Sequence, residues 1–488
     1  MQMKTDLPWF KPIKTCAVLL VILMSSGVSS QAGSLSLEAY LGQVLGDSAA
    51  VKSSRSQIEG AALTAKEGGL PTMARLTFQG SFTDDQRQFP NPFQATMRGR
   101  TVGLGFEKQF NFGLASKINY NLSSMSYGPQ GVGPGGRPFL QDFVGAQTQI
   151  DLTQSLWRNA FGKETRASAD LAEASSKAAE YAEQFKLKQT LAQAENAYTR
   201  LAIAYESVRL ERELLDRSKR ILEWTEKRVK NHLSDRIDLL QTRSAYQMRL
   251  MSLKAAEQEL TSAKIAFNQM RNQSADDTTL ATTEEPELIP TERVLNLSVP
   301  VRASETLDVK AAKEGERVTK ASNELSLQKV QPDLSIFASA GFNGIDFAGQ
   351  QGALTRALRP EHPIYTAGVK LNFALDLAET ADIRAGRAKQ QMAAEHLTRQ
   401  KELESESAFR DLSQKFNEAR LRLKMAEELV SMQKEKLEYE KYRFNLGRTT
   451  TYQVLTFEQD YAQSLISRLR IENEILALHA QLKTFAQD

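Results

Sequence analysis

The side chains able to make and break bonds are few and scattered. His232, His362, His396 and His479 are the four histidines of the 488-residue chain. No two share the three- or four-residue spacing that sets a pair of zinc ligands on one face of a helix. Cys16 is the single cysteine, so no disulfide can form within the chain. No Gly-x-x-x-x-Gly-Lys-Ser/Thr phosphate loop occurs. The run GVGPGG, Gly131 to Gly136, is superficially like a glycine-rich nucleotide loop, but it carries a proline and leads into a strand pattern. The many carboxylates lie on helical faces, paired at three or four residues with basic side chains. No nucleophile stands beside a base, so the expectation is no catalytic residue, no metal site, no cofactor and no enzyme activity. What remains is the hydrogen-bonding chemistry of short polar side chains. Ser234-Asp235 and Thr449-Thr450-Thr451 each precede an apolar helical stretch, where a hydroxyl or carboxylate caps a helix N-terminus.

Long helices must position those turns. No proline occurs between Pro138 and Pro286, nor after Pro363, which permits two very long helical regions. Both are rich in strong helix formers. Apolar residues recur three and four apart, as in Leu191, Ala194, Tyr198, Leu201 and Tyr205, and in Leu421, Met425, Leu429, Met432 and Leu437. That is an amphipathic, coiled-coil-like pattern. Within YRFNLGRTTTYQVLTFEQDY, Tyr442 to Tyr461, Gly447 ends one helix and the threonines start the next. One constant offset aligns Arg228 with Arg443, Leu240 with Leu455 and Tyr246 with Tyr461, and sets His232 on Gly447. The spacing therefore predicts a duplicated unit containing a long helical hairpin.

Ahead of each helical region the period falls to two. Leu76, Phe78 and Phe82 alternate with Thr77, Gln79 and Ser81, and Val102, Leu104 and Phe106 continue the pattern. Ile118, Tyr120 and Leu122 oppose Lys117, Asn119 and Asn121, while Ile150 and Leu152 oppose Gln149 and Asp151. In the second half come Leu334, Ile336 and Ala338, then Tyr365, Val369 and Leu371 opposite Lys370 and Asn372. This predicts four strands and then two, each with one apolar and one polar face. A soluble β-sandwich and a transmembrane barrel both satisfy the alternation. The connections favour the barrel: a long loop over 86–100, a tight turn at Asn111-Phe112-Gly113, and a Gly/Pro-rich loop, Gly128 to Pro138. Lys4, Lys11 and Lys14, the apolar run Cys16 to Met24 and the small residues up to Ala32 form a secretory signal peptide pattern over residues 1–32. No other stretch is apolar enough for a membrane helix, so entry into a membrane requires a closed barrel. Lys plus Arg number 62 against 59 Asp plus Glu, a balance that gives no sign of a nucleic-acid partner.

The ordered segments resemble the TolC-like outer-membrane efflux and secretion channels. Leu35 to Pro71 is similar to that family's N-terminal helix before the first strand, and Leu325 to Gly344 to the equivalent step of the second half. Leu152 to Ala174 resembles the strand-to-helix junction, and Tyr442 to Ser464 the helical-tip hairpin. The resemblance covers nearly the whole mature chain. It implies an α+β membrane protein of duplicated strand-pair and long helical hairpin units. Three copies would form one trimeric outer-membrane β-barrel, continued by a periplasmic α-helical barrel. The first unit would span residues 33–272, an inter-repeat linker 273–301, and the second unit 302–488. The linker, including Asp276 to Glu292, would lie near the middle of the tunnel.

The implied function is the exit channel of a tripartite efflux pump or type I secretion system. Its partners would be a periplasmic adaptor protein, an inner-membrane pump and outer-membrane lipid. A periplasmic or surface coiled-coil scaffold with a β-domain is the alternative. The family typically has two strands in each half, so four in the first half imply either eighteen barrel strands rather than twelve or a hairpin over Thr101–Ser124 outside the barrel. Asp238 matches the first-half gate aspartate by its spacing from the turn. The corresponding second-half positions hold Gln453 and Thr456 where the family often has acids, and Phe444 where it has a tyrosine. Gln453 and Phe444 are thus gate candidates by place, with no charge-linked gate implied there. The adaptor-contact tips would be His232, Leu233, Ser234 and Asp235 in the first half, and Gly447, Arg448, Thr449 and Thr450 in the second.

Overall fold

A computed structural model gives the structure of residues 35–86, 97–127, 142–232, 234–281, 283–347, 350–359, 363–373 and 375–487. The signal-peptide pattern, the Gly/Pro-rich loop, Leu233 and His362 lie outside these described residues. The chain enters through α1 (Leu37–Asp47), capped by Ser36, whose Oγ accepts from the Ala39 N–H at 3.3 Å. Extended backbone at Ser48 breaks α1 from α2 (Ala49–Thr64). Four strands follow: β1 (Arg75–Asp85), β2 (Met97–Gln109), β3 (Leu114–Tyr127) and β4 (Phe143–Ser155). Then come α3 (Lys163–Lys230) and α4 (Arg236–Met270), and the short linker helices α5 (Asp277–Ala281) and α6 (Thr291–Leu295). The second half comprises α7 (Leu307–Lys329), β5 (Asp333–Asp346), α8 (Gln350–Ala357), β6 (Pro363–Asn372), α9 (Leu377–Asn445) and α10 (Thr451–Lys483). Among the described residues no helix is long and apolar enough to cross a membrane.

The strands make one antiparallel sheet in the order β1-β2-β3-β4-β5-β6. Residues 101–124 therefore sit inside the chain's own sheet, between β1 and β4, not in a separate hairpin. The register keeps the period-two pattern in phase across every pairing. Leu76 lies opposite Phe106, then in turn Ile118, Ile150, Ala340 and Tyr365. On the other face Gln79 leads through Gly103 to Asn121, Gln147 and Asn343. Directly paired residues share a face, so the sheet has one apolar and one polar surface. Its edge strands β1 and β6 are the most open, with Leu76 76 % and Tyr365 72 % exposed.

Helix α8 is not foreshadowed by the alternation. It lies over the apolar face towards the strand ends remote from α3. Ala353 and Ala357 are buried against Ala146, Thr148 Oγ1 donates to the Ala357 carbonyl at 3.0 Å, and Arg356 Nη1 donates to the Ile345 carbonyl at 2.7 Å. Gly344 allows the approach, since a Cβ there would stand 2.5 Å from the Ala353 carbonyl oxygen.

α3 and α9 run for 68 and 69 residues, about 100 Å each at 1.5 Å per residue. α3 packs against α4, α7 and α10, and α10 against α9, so α4 and α9 flank the layer. A belt of packing binds these helices near mid-length. Tyr40 stacks on Phe267 with ring centroids 4.2 Å apart, and both are fully buried with Val44, Tyr198 and Leu201. Val294, Phe416, Leu423 and Ile475 form a second buried group. The linker is tied to the middle of α3, where Tyr198 Oη lies 2.7 Å from the Leu35 carbonyl and 3.2 Å from that of Glu287.

Glu472 of α10 is buried in this belt, with the Thr291 hydroxyl donating to it at 2.8 Å. Burial pushes its carboxyl above the ordinary carboxylate range, against the pull of Thr291 and Arg468. A raised folded-state pKa means that the ionised form weighs against folding, fully so above the folded value and not at all below the unfolded one. Glu472→Gln is therefore expected to raise the melting temperature at about pH 7.5 by a few degrees. Melting curves should converge as the pH falls through about 4.3, the ordinary glutamate value.

Candidate functional site at the paired hairpin tips

The two hairpins reverse direction by the same device with different residues. In the second, the Arg448 N–H donates to the Arg443 carbonyl at 3.0 Å and the Gly447 N–H to that of Phe444 at 2.9 Å. With Gly447 at φ +72, this closes the helix in a Schellman motif. Thr450 then caps α10, accepting from the Gln453 N–H at 3.4 Å. In the first, His232 takes the left-handed position at φ +58, and its N–H donates to the Val229 carbonyl at 3.0 Å. Asp235 occupies the cap position of α4, yet its side chain makes no capping bond. Ser234 instead donates to Asp238 Oδ2 at 2.5 Å. His232, Asp235, Gly447, Arg448 and Thr450 are exposed.

The gate candidates separate by what they touch. Asp238 bonds to Ser234 within its own hairpin. Gln453 likewise stays local, where the Thr449 hydroxyl contacts both its Oε1 and a carboxylate oxygen of Glu440. Glu440 is itself buried and paired with Arg443 at 3.2 Å. Phe444 is the one of the three that reaches across, packing on Trp224 of α3 at 4.4 Å between ring centroids. The Arg228 guanidinium covers the same indole at 4.5 Å.

Sequence reasoning missed Trp224, although it is the only tryptophan within the long helices. It also missed Glu458, a buried carboxylate on α10. Arg217 of α3 stands 3.6 Å from one of its oxygens, and Lys441 of α9 stands 3.1 Å from the other. Above these contacts a groove of about 1130 Å3 opens between α4 and α10 over α3. Its floor is small, with Ala204, Ser207 and Ser218 of α3, and its walls carry Ala245, Met248 and Tyr452. Burial there pushes the Glu211 carboxyl upward, with Arg249 at 3.9 Å pulling it back. Among the described residues no group of three or more histidine, cysteine, aspartate or glutamate side chains is set to hold a metal ion.

The sequence matches no protein-family model and no curated protein. The structure is similar to solved ones. The outer membrane protein VceC of Vibrio cholerae aligns with TM-score 0.67 at 15% identity, over 92% of this chain and 95% of that one. The CmeC outer membrane channel of Campylobacter jejuni aligns with TM-score 0.68 at 13% identity, over 92% and 86%. The open state of the MtrE outer membrane channel of Neisseria gonorrhoeae aligns with TM-score 0.63 at 12% identity, over 92% and 88%. The chain thus has the fold of the TolC-like outer-membrane channels.

The left-handed turn residues predict opposite responses at equivalent places. A side chain at positive φ costs roughly 1–2 kcal/mol that glycine does not. His232→Gly should raise stability by about 1 kcal/mol, and Gly447→Ala should lower it by a similar amount. Amide exchange in the last turn of α3 and of α9 reads each change locally, slower in the first variant and faster in the second.

Proposed function

We propose that the protein is a passive exit conduit of the outer membrane, with its helical part in the periplasm, built from three copies of this chain. One observation carries the proposal: a six-stranded sheet with an apolar face, a polar face and two unpaired edges runs directly into helices of about 100 Å. Strands of 10–14 residues are long enough to cross a bilayer when tilted. In lipid, open sheet edges must be closed. β1 and β6 run in opposite directions, so the β6 of one copy can pair antiparallel with the β1 of the next. Six strands from each of three copies give eighteen, a size that leaves a water-filled bore.

The flanking helices support the same ring. Ile237, Leu240, Met248 and Met251 form an exposed apolar stripe on α4, interspersed with Arg236, Arg243 and Lys254. Leu421, Met425, Leu429, Met432, Tyr439 and Tyr442 form one on α9, interspersed with Lys424, Glu428, Glu435 and Lys436. The stripes lie at similar heights above the tips, as a head-to-tail interface between copies requires. A coiled-coil scaffold with a soluble β-domain has no use for an exposed apolar sheet face. The exposed tip residues would meet the periplasmic adaptor of an inner-membrane pump or secretion machine, and energy would come from that partner. Asp238, Gln453 and Phe444 lie where the tube would narrow.

Outer-membrane fractionation followed by planar-bilayer recording tests the proposal. The purified protein should partition with the outer membrane and give uniform current steps. Met251→Lys combined with Met432→Lys should place like charges across the interface and abolish the steps. Wild-type protein that stays in the soluble fraction and carries no current would contradict the conduit and favour the scaffold.

A further inference from the structure

The apolar face of the sheet carries arginines at one level, at the strand ends remote from the long helices. The register sets Phe82, Arg100, Ser124, Val144 and Asp346 in one row across β1 to β5, on the face of Leu76 and Phe106. Arg100 lies over the Phe82 ring, 6.0 Å from its centroid. α8 brings a second arginine to this row from the β5 side. Arg356 donates to the Ile345 carbonyl at 2.7 Å, one residue from Asp346. β2 and β5 stand three strand spacings apart, so the two arginines flank about 14 Å of sheet.

The carboxylates at this level are engaged by the protein itself. Asp142 accepts from the Ser126 hydroxyl at 2.8 Å and from the Tyr127 N–H at 2.9 Å. Asp84 lies 3.4 Å from Arg98. Asp346 packs on the first turn of α8, where a Cβ on Gly352 would stand 1.5 Å from its Oδ2. Arg100 and Arg356 are exposed, and among the described residues neither has a carboxylate at ion-pair distance.

The depth of the row fits a lipid headgroup. On β2, Val102, Leu104 and Phe106 are exposed between Arg100 and Lys108. Eight residues at about 3.4 Å each, tilted by about 40°, cover roughly 20 Å along the membrane normal. Side chains reaching outward at both ends extend this towards the apolar band of about 25 Å. Lys108 thus marks the boundary near the helices, and Arg100 the boundary remote from them. α8 crosses that remote boundary. Its first turn lies beside Asp346, and its Ala357 carbonyl accepts from Thr148, deeper in the band. Leu358, the next residue, is 71% exposed. A cationic head at the rim above an exposed leucine is how an interfacial helix seats in a bilayer. The planar guanidinium fork matches phosphate oxygens.

We propose that Arg100 and Arg356 form a binding site for a phosphate-bearing lipid of the outer leaflet, with its acyl chains against Val102, Leu104 and Leu358. The proposal rests on the conduit reading, which places the apolar face in the membrane. It assigns α8 a role as the element that carries one half of the site.

The test titrates the full-length protein in dodecyl maltoside micelles with diphosphoryl lipid A and counts bound lipid by native mass spectrometry. Arg100→Gln and Arg356→Gln should each weaken binding roughly tenfold, through the loss of one charge-assisted contact. Lys108→Gln, at the opposite boundary, should leave it unchanged. Gly344→Val keeps both arginines but pushes α8 off the sheet, and should weaken binding as Arg356→Gln does. Neither millimolar inorganic phosphate nor phosphatidylethanolamine should displace the lipid. Equal binding by the wild type and both arginine variants overturns the proposal. Displacement by inorganic phosphate also overturns it, since that marks a free-anion site. Planar-bilayer current on the same preparations separates the two readings. Wild-type protein that binds the lipid yet carries no current supports the site and counts against the conduit.

Discussion

The sheet's register is the constraint on which the rest depends. Five consecutive antiparallel pairings keep the same phase of alternation, so apolar residues from Leu76 to Tyr365 share one face. A slip of one residue in any pairing would turn that strand's apolar set to the polar side. The sheet cannot bury this face within the chain, because the long helices leave the strand ends and α8 covers only part of it. Nor can it close on itself while β1 and β6 stay unpaired at its two edges. An apolar surface and two free edges are both relieved by lipid and by further copies of the same sheet.

The helical half answers to the same geometry. The junctions of β4 with α3 and of β6 with α9 lie at one end of the sheet, so α3 and α9 leave it in the same direction and extend well beyond the size of an ordinary domain. Helices this long need lateral packing over their whole length. Within one copy they find it at the mid-length belt around Tyr40 and Phe267, and in the α3–α10 contact. On the flanks they do not, which leaves the stripes on α4 and α9. Beyond the belt, towards the tips, the buried aromatic residues give way to shared ions and the Trp224–Phe444 contact.

Much of this was legible in the residues because its causes are local. The alternation around Phe78 and Ile118 requires only period two, and the Gly447 turn requires only a residue at ease with positive φ beside a capping threonine. The offset that set His232 on Gly447 located a turn where no glycine marks it. What escaped was non-local. The docking of α8 depends on Gly344 in a neighbouring strand, and nothing in the α8 segment itself announces that contact. Trp224 and Phe444 meet only once two separate hairpins are folded together, as do Arg217 and Glu458. Asp235 has the right residue type for a cap, yet the bond formed next to it joins Ser234 to Asp238. Among the candidate site residues, position relative to the turn was readable, whereas the partner of each side chain was not.

The central claim is that the open sheet and the helical layer are one third of a closed tube. Single-particle imaging of the protein purified from outer membranes in mild detergent tests it most directly. The account predicts a three-fold particle with a detergent belt wide enough for eighteen strands and a tapering tube of about 100 Å below it. A monomeric particle, or one without a detergent belt, would contradict it.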